Sequence, residues 1–152
     1  MNQHENFMLL ALEEAQQAMQ EGEVPVGAVI VCKGKLIAKA HNRREADGDP
    51  TAHAEILAIR QAARILGRRR LTDCTLYVTL EPCPMCAGAI MMACIGKCFY
   101  GAADQRQGCA ESVLALLQEP SFYHRTPSIG GLLEKPCAEL MNTFFQQKRT
   151  NL

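Results

Sequence analysis

The chain has 152 residues, 48% apolar and 21% charged, with sixteen basic side chains against sixteen acidic ones. Surface scaling at this length buries about 69% of the extended chain, so one domain over 1–152 with its own core is expected, and a disordered or fibrous polypeptide is excluded. The balanced charge gives no global pull toward nucleic acid, and no apolar run approaches the ~20 residues that cross a bilayer, so no membrane partner is expected.

Met8, Leu12, Ala15 and Met19 recur at helical spacing ahead of Gly22, which predicts an amphipathic helix over 5–21. The continuous apolar run Val26 to Cys32 suits a strand buried on both faces, and Lys33-Gly34 turns it into a second strand from Leu36 to His41. Asn42 to Pro50 reads as a loop. Thr51 is the expected cap of a helix reaching Leu66, with Ile56, Ile59, Ala63 and Leu66 along one stripe and Gly67 at its end. A strand over 75–80, a short helix from Pro84 to Ala93 and a strand over 97–102 follow. Helices are expected at 111–118 and 136–149. A hairpin followed by β-α-β connections gives an α/β fold: a three-layer α/β/α sandwich on a mixed central sheet of about five strands.

The amino terminus has no basic segment ahead of an apolar run, which points to a cytoplasmic location. In a reducing compartment the eight cysteines turn toward packing, metal or catalysis rather than disulfides. Pro82-Cys83-Pro84-Met85-Cys86 is the most informative segment, because two thiols three apart at a helix start can converge on one metal ion. Pro84 fits the first helical position, which makes Cys83 the N-cap and brings both sulfurs near the positive helix end that favours thiolate.

His53 and Glu55 lie two residues apart in the first turn of the earlier helix and project about 200° from one another, so they are not both ligands of one ion. If His53 joins Cys83 and Cys86, a Zn²⁺ ion has three protein ligands and an open position for water, the catalytic pattern. Glu55 is then the carboxylate that takes the water's proton and passes it on.

His53-Ala54-Glu55 with Pro82-Cys83-x-x-Cys86 is the signature of the zinc deaminases. Glu23 to Val29, His41-Asn42-Arg43, Asp49 to Glu55, Leu76 to Ala89 and the terminal Phe144-Phe145 extend the likeness over nearly the whole chain, which resembles the bacterial tRNA adenosine deaminase family. That resemblance implies a cytidine-deaminase-like fold, one zinc per subunit, a homodimer, and hydrolysis of the wobble adenosine in a tRNA anticodon stem-loop to inosine. By the same resemblance Asn42, Val26 and the backbone around Ala54 hold the flipped-out purine, while Asp104, Arg106 and Phe145 meet the anticodon loop. The chain departs from the family at Tyr123-His124-Arg125, where Asn-His-Arg is usual, and at Cys94 and Ala103, where basic and charged residues are common. Polar RNA contacts are expected to change there, with Tyr123 offering a ring on which a base stacks.

Competing readings remain open on the residues alone. The Cys-x-x-Cys pair is compatible with a redox pair, or with a closed structural zinc site whose fourth ligand is Cys74, Cys94, Cys98 or His41. Arg68-Arg69-Arg70 and Lys148-Arg149 suit solvated helix ends. A deaminase of free guanine or cytosine shares the same centre, and a zinc-stabilised RNA-binding module needs no Glu55.

Overall fold

The computed structural model describes residues 1–150. Its five-stranded sheet has the order β2-β1-β3-β4-β5, with β1 (Gly27–Cys32), β2 (Lys35–His41), β3 (Cys74–Leu80), β4 (Lys97–Ala102) and β5 (Ser128–Ile129). β1 is antiparallel to both neighbours, while β3, β4 and β5 run parallel. The parallel step from β3 to β4 is a crossover through a helix, as parallel pairing requires.

The continuous apolar run of β1 is explained by burial on both faces. Ala28, Ile30 and Cys32 enter the core beneath α3 (Ala54–Leu66) and α4 (Pro84–Met92), whereas Val29 and Val31 enter the core beneath α1 (Gln3–Gln20) and α5 (Glu134–Thr150). The expected three-layer sandwich is therefore present. α1 lies so close to β1 that a Cβ on Gly27 would stand 1.9 Å from the Ala11 carbonyl oxygen, so only glycine permits this contact.

Three helix starts shift by two residues from expectation, and one helical turn is new. α1 begins at Gln3 because Asn2 and Glu5 form a reciprocal capping box. α3 begins at Ala54 with His53 as its N-cap, not Thr51, whose N–H and hydroxyl both donate to Asp49 Oδ1 instead. Inside the expected 42–50 loop, Arg44–Asp47 form a single helical turn, α2, whose Glu45 and Ala46 N–H groups donate to the buried Glu23 carboxylate. α5 starts two residues early, where Pro136 falls in the first turn and no N–H is missed.

The helix expected at 111–118 does not form. Only Leu116–Gln118 is helical, as a 3₁₀ turn, because the Ala110, Glu111 and Ser112 N–H groups donate to Glu81 rather than to a helical ladder. β5 is the fifth strand of the expected sheet, at a position the sequence does not mark. It is two residues long, too short for any alternation to register.

Candidate active site

Two helix starts meet at the end of the sheet where β3 and β4 finish and β1 begins. His53 caps α3 and Cys83 caps α4, with Pro84 at the first position of α4 as its missing N–H allows. His53 Nδ1 lies 3.7 Å from Cys83 Sγ and 3.5 Å from Cys86 Sγ. A tetrahedral zinc ion with ordinary Zn–N and Zn–S bonds separates nitrogen from sulfur by about 3.6 Å, so these donors already have the spacing of a zinc site.

The charges agree with the spacing. A hydrogen bond from Cys86, opposed by burial and assisted by His53, pulls the Cys83 thiol down to about 4, while the same pairing pushes Cys86 up. The arrangement thus favours thiolate at Cys83, and a divalent ion would supply the charge that the second thiolate requires. The Cys83 hydrogen bond also raises His53 against its burial.

Glu55 is 4% exposed, in the first turn of α3, and stands outside the donor set. Burial, reinforced by the Cys83 thiolate, raises its carboxyl to about 7. No fourth protein donor joins His53, Cys83 and Cys86 among the described residues. Cys74 is grouped with Cys32 and Asp73, and His41 Nδ1 and Nε2 lie 2.9 and 3.0 Å from Glu14 and Glu21.

The His41 contacts carry a testable consequence. Burial lowers its pKa, but the two carboxylates outweigh burial and raise it overall. The stabilisation is therefore complete below about pH 6.5 and is lost as pH rises through the higher folded value. The thermal stability of His41→Asn is expected to lack this fall between pH 6 and 8, a difference on the order of 1 kcal/mol for one charge-assisted bond, measurable as parallel melting curves across that range.

One cavity of about 640 Å³ opens onto this centre. It gathers the expected substrate residues Val26, Asn42, Ala54, Asp104, Arg106 and Phe145 around His53, Glu55 and Cys83, with Cys86 buried behind them. The Asn42 amide is itself fixed, donating to the Val24 carbonyl at 3.4 Å and accepting from the Arg44 N–H at 3.0 Å. Arg44, Arg106 and Lys148 bring three cations to the cavity, and Phe145 sets its ring edge-on to buried Phe144.

Sequence reasoning missed Arg44 and placed Lys148 at a solvated helix end; neither has a signal in composition. Tyr123 and His124 do not line the cavity. The Tyr123 hydroxyl donates to the Met91 carbonyl beside α4, and His124 Nε2 lies 2.9 Å from the Ile95 carbonyl oxygen.

Residues 1–102 match the cytidine and deoxycytidylate deaminase zinc-binding region. The chain belongs to that deaminase family. Among its relatives, the tRNA-specific adenosine deaminase of Bacillus subtilis (strain 168) is 46% identical over 149 residues, covering 98% of this chain and 92% of the relative. A solved structure from work on A-to-I editing by tRNA:A34 deaminases at the wobble position superposes with a TM-score of 0.86 at 47% identity, covering 89% of this chain and 98% of the other. The guanine deaminase of Bacillus subtilis is 39% identical with a TM-score of 0.65, covering 84% and 83% of the two chains. The fold is the cytidine-deaminase-like sandwich of these relatives, and the His/Cys/Cys set fits the zinc of the family.

Proposed function

We propose that the chain is a zinc-dependent deaminase that converts the wobble adenosine of a tRNA anticodon stem-loop to inosine. One observation carries the reading: the buried Glu55 and the three-donor centre lie in an open cavity bordered by Arg44, Arg106, Lys148 and an aromatic ring, a setting for a base attached to a phosphate backbone. The identity with tRNA-specific adenosine deaminases over nearly the full chain supports the same substrate.

His53, Cys83 and Cys86 hold the zinc, which when bound makes water acidic enough to attack near neutral pH. Asn42 and Val26, with the backbone at Ala54, hold the adenine with C6 facing that centre. A Glu55 carboxylate oxygen takes the proton of the attacking water and delivers it to N1, then moves a proton to the C6 amine, which leaves as ammonia. Water adds one oxygen to C6 and the ring keeps the inosine carbonyl. The cavity wall formed by Asp104 and Arg106 receives the neighbouring nucleotides.

The decisive experiment incubates zinc-loaded protein with an anticodon stem-loop carrying adenosine at the wobble position, beside free adenosine, guanine and cytosine. Inosine from the stem-loop supports the reading. Turnover of free guanine or cytosine alone replaces it with a free-base deaminase, and binding without turnover replaces it with an RNA-binding module. Phe145→Ala is expected to raise the KM for the stem-loop between about 5- and 150-fold, the worth of one stacked base, measured by initial rates at varied RNA.

The same reading includes a single domain over 1–152, a homodimer and a cytoplasmic location. α4 supports the dimer: it is apolar on every side, yet its Met92 is 65% exposed, and a Cβ on Gly88 would meet nothing within 4 Å. Tyr123 and Leu114 are also exposed apolar side chains. Light scattering on Met92→Glu, expected to shift the protein toward monomer, checks this. A tRNA substrate supports the cytoplasmic location.

A further inference from the structure

Outside the catalytic centre, Cys32 and Cys74 face one another across the antiparallel β1–β3 ladder, the last residue of β1 opposite the first of β3. Directly opposed residues in such a ladder have Cα atoms about 4.5 or 5.5 Å apart, inside the roughly 4.4–6.8 Å that a disulfide spans. Both side chains enter the core on the α3 and α4 side, and their sulfurs and the Asp73 carboxylate lie within 4.8 Å of one another. The pair sits at the opposite end of β3 from the segment that carries Cys83 and Cys86.

The two sulfurs are not equivalent. Cys32 is 8% exposed and Cys74 only 1%. Arg68 Nη2 stands 4.0 Å from Cys32 Sγ and 2.6 Å from Asp73 Oδ1, setting a positive charge beside the more accessible sulfur. The Cys74 thiol donates to Asp73 Oδ1 at 3.7 Å.

We infer that Cys32 and Cys74 are a modification site, a dithiol that closes to a reversible disulfide by exchange with a low-molecular-weight disulfide. Cys32 Sγ attacks one sulfur of the small disulfide, forming a mixed disulfide and releasing one small thiol, which carries away the Cys32 proton. Cys74 Sγ then attacks Cys32 Sγ, the second small thiol leaves with the Cys74 proton, and two protein thiols have been oxidised while one small disulfide is reduced.

A metal ion fits the same three donors less well. Its entry must displace the Arg68 guanidinium from Asp73 and deprotonate both thiols together, and burial with the neighbouring Cys32 has already pushed Cys74 up to about 12. Exchange needs one thiolate at a time and leaves no charge behind. The closed bridge ties β1 to β3 and encloses the stretch that contains Asn42, His53 and Glu55.

The test uses the zinc-loaded protein treated with oxidised glutathione, its free thiols then alkylated and the chain cut after glutamate. Residues 24–45 carry Cys32 as their only cysteine, and residues 56–81 carry Cys74 as theirs. The expected result is these two peptides joined, two hydrogen masses below their sum, and separated by dithiothreitol. Closing a loop of about 42 residues is expected to raise Tm by roughly 10 °C, a rise absent in Cys32→Ala and in Cys74→Ala. Glutathione that stays on Cys32, or two unmodified peptides while other cysteines react, overturns the inference. A second tightly held zinc that disappears in Cys74→Ala overturns it in favour of a metal site.

Discussion

Glu55→Gln is expected to lower the rate of inosine formation by about 10³-fold while the protein keeps one zinc per chain. The substitution preserves size and a hydrogen-bonding end in a site only 4% exposed, so packing at the start of α3 changes little. On the proposed mechanism it removes the oxygen that accepts the water's proton and returns it to N1 and to the leaving amine. Glu55 is outside the set formed by His53, Cys83 and Cys86, so metal content and proton transfer separate cleanly. A thousandfold loss corresponds to about 4 kcal/mol of transition-state stabilisation. Single-turnover rates on the stem-loop, with metal analysis of the same sample, decide it. Full activity in the variant refutes the role of Glu55, and parallel loss of zinc reassigns it to the metal site.

The metal donor set was legible in the sequence because each part of it has a local cause. Pro84 after Cys83 sets a helix start, the start sets the cap, and the cap aims a sulfur at the place where Cys86 returns one turn later. The two-residue offset between His53 and Glu55 likewise places one in the donor set and the other outside it. The continuous apolar run of β1 announced a strand covered on both faces. Residues 103–118 were not legible in the same way. Their conformation is imposed by a carboxylate from another part of the chain, and no periodicity within the segment records that. β5 has the same origin, two residues aligned by a sheet edge already in place. The Asn2/Glu5 capping box lies ahead of the apolar periodicity that starts at Met8, so that periodicity does not mark the helix start.

That carboxylate, Glu81, is the second position where a large effect is expected. Oε1 accepts from the Asp104 N–H at 3.0 Å and the Ser112 hydroxyl at 2.5 Å; Oε2 accepts from the N–H groups of Ala110, Glu111 and Ser112 at 3.1, 2.8 and 2.9 Å. Five donors thus converge on one side chain 2% exposed, and the segment they hold supplies Asp104 and Arg106 to the cavity. Glu81→Gln replaces an acceptor by an amide that donates toward donors. The cost is about 3–5 kcal/mol, from charge-assisted bonds lost and buried N–H groups left unpaired, and Tm is expected to fall by roughly 10 °C.

The effect carries its own pH signature. Burial raises the Glu81 carboxyl, but the hydrogen bonds led by Ser112 outweigh it and hold the group below its ordinary 4.5. Its stabilisation is complete above about pH 4.5 and disappears as pH falls through the lower folded value, so the gap between native and Glu81→Gln melting temperatures should narrow toward pH 3. Kinetics distinguish this loop support from the proton carrier. Releasing residues 103–112 raises the KM for the stem-loop more than it lowers kcat, whereas Glu55→Gln lowers kcat at nearly constant KM. A Glu81→Gln protein that melts as the native one does, across pH 3 to 7, would show that the segment holds its shape without the carboxylate, and the cavity wall it forms would need another cause.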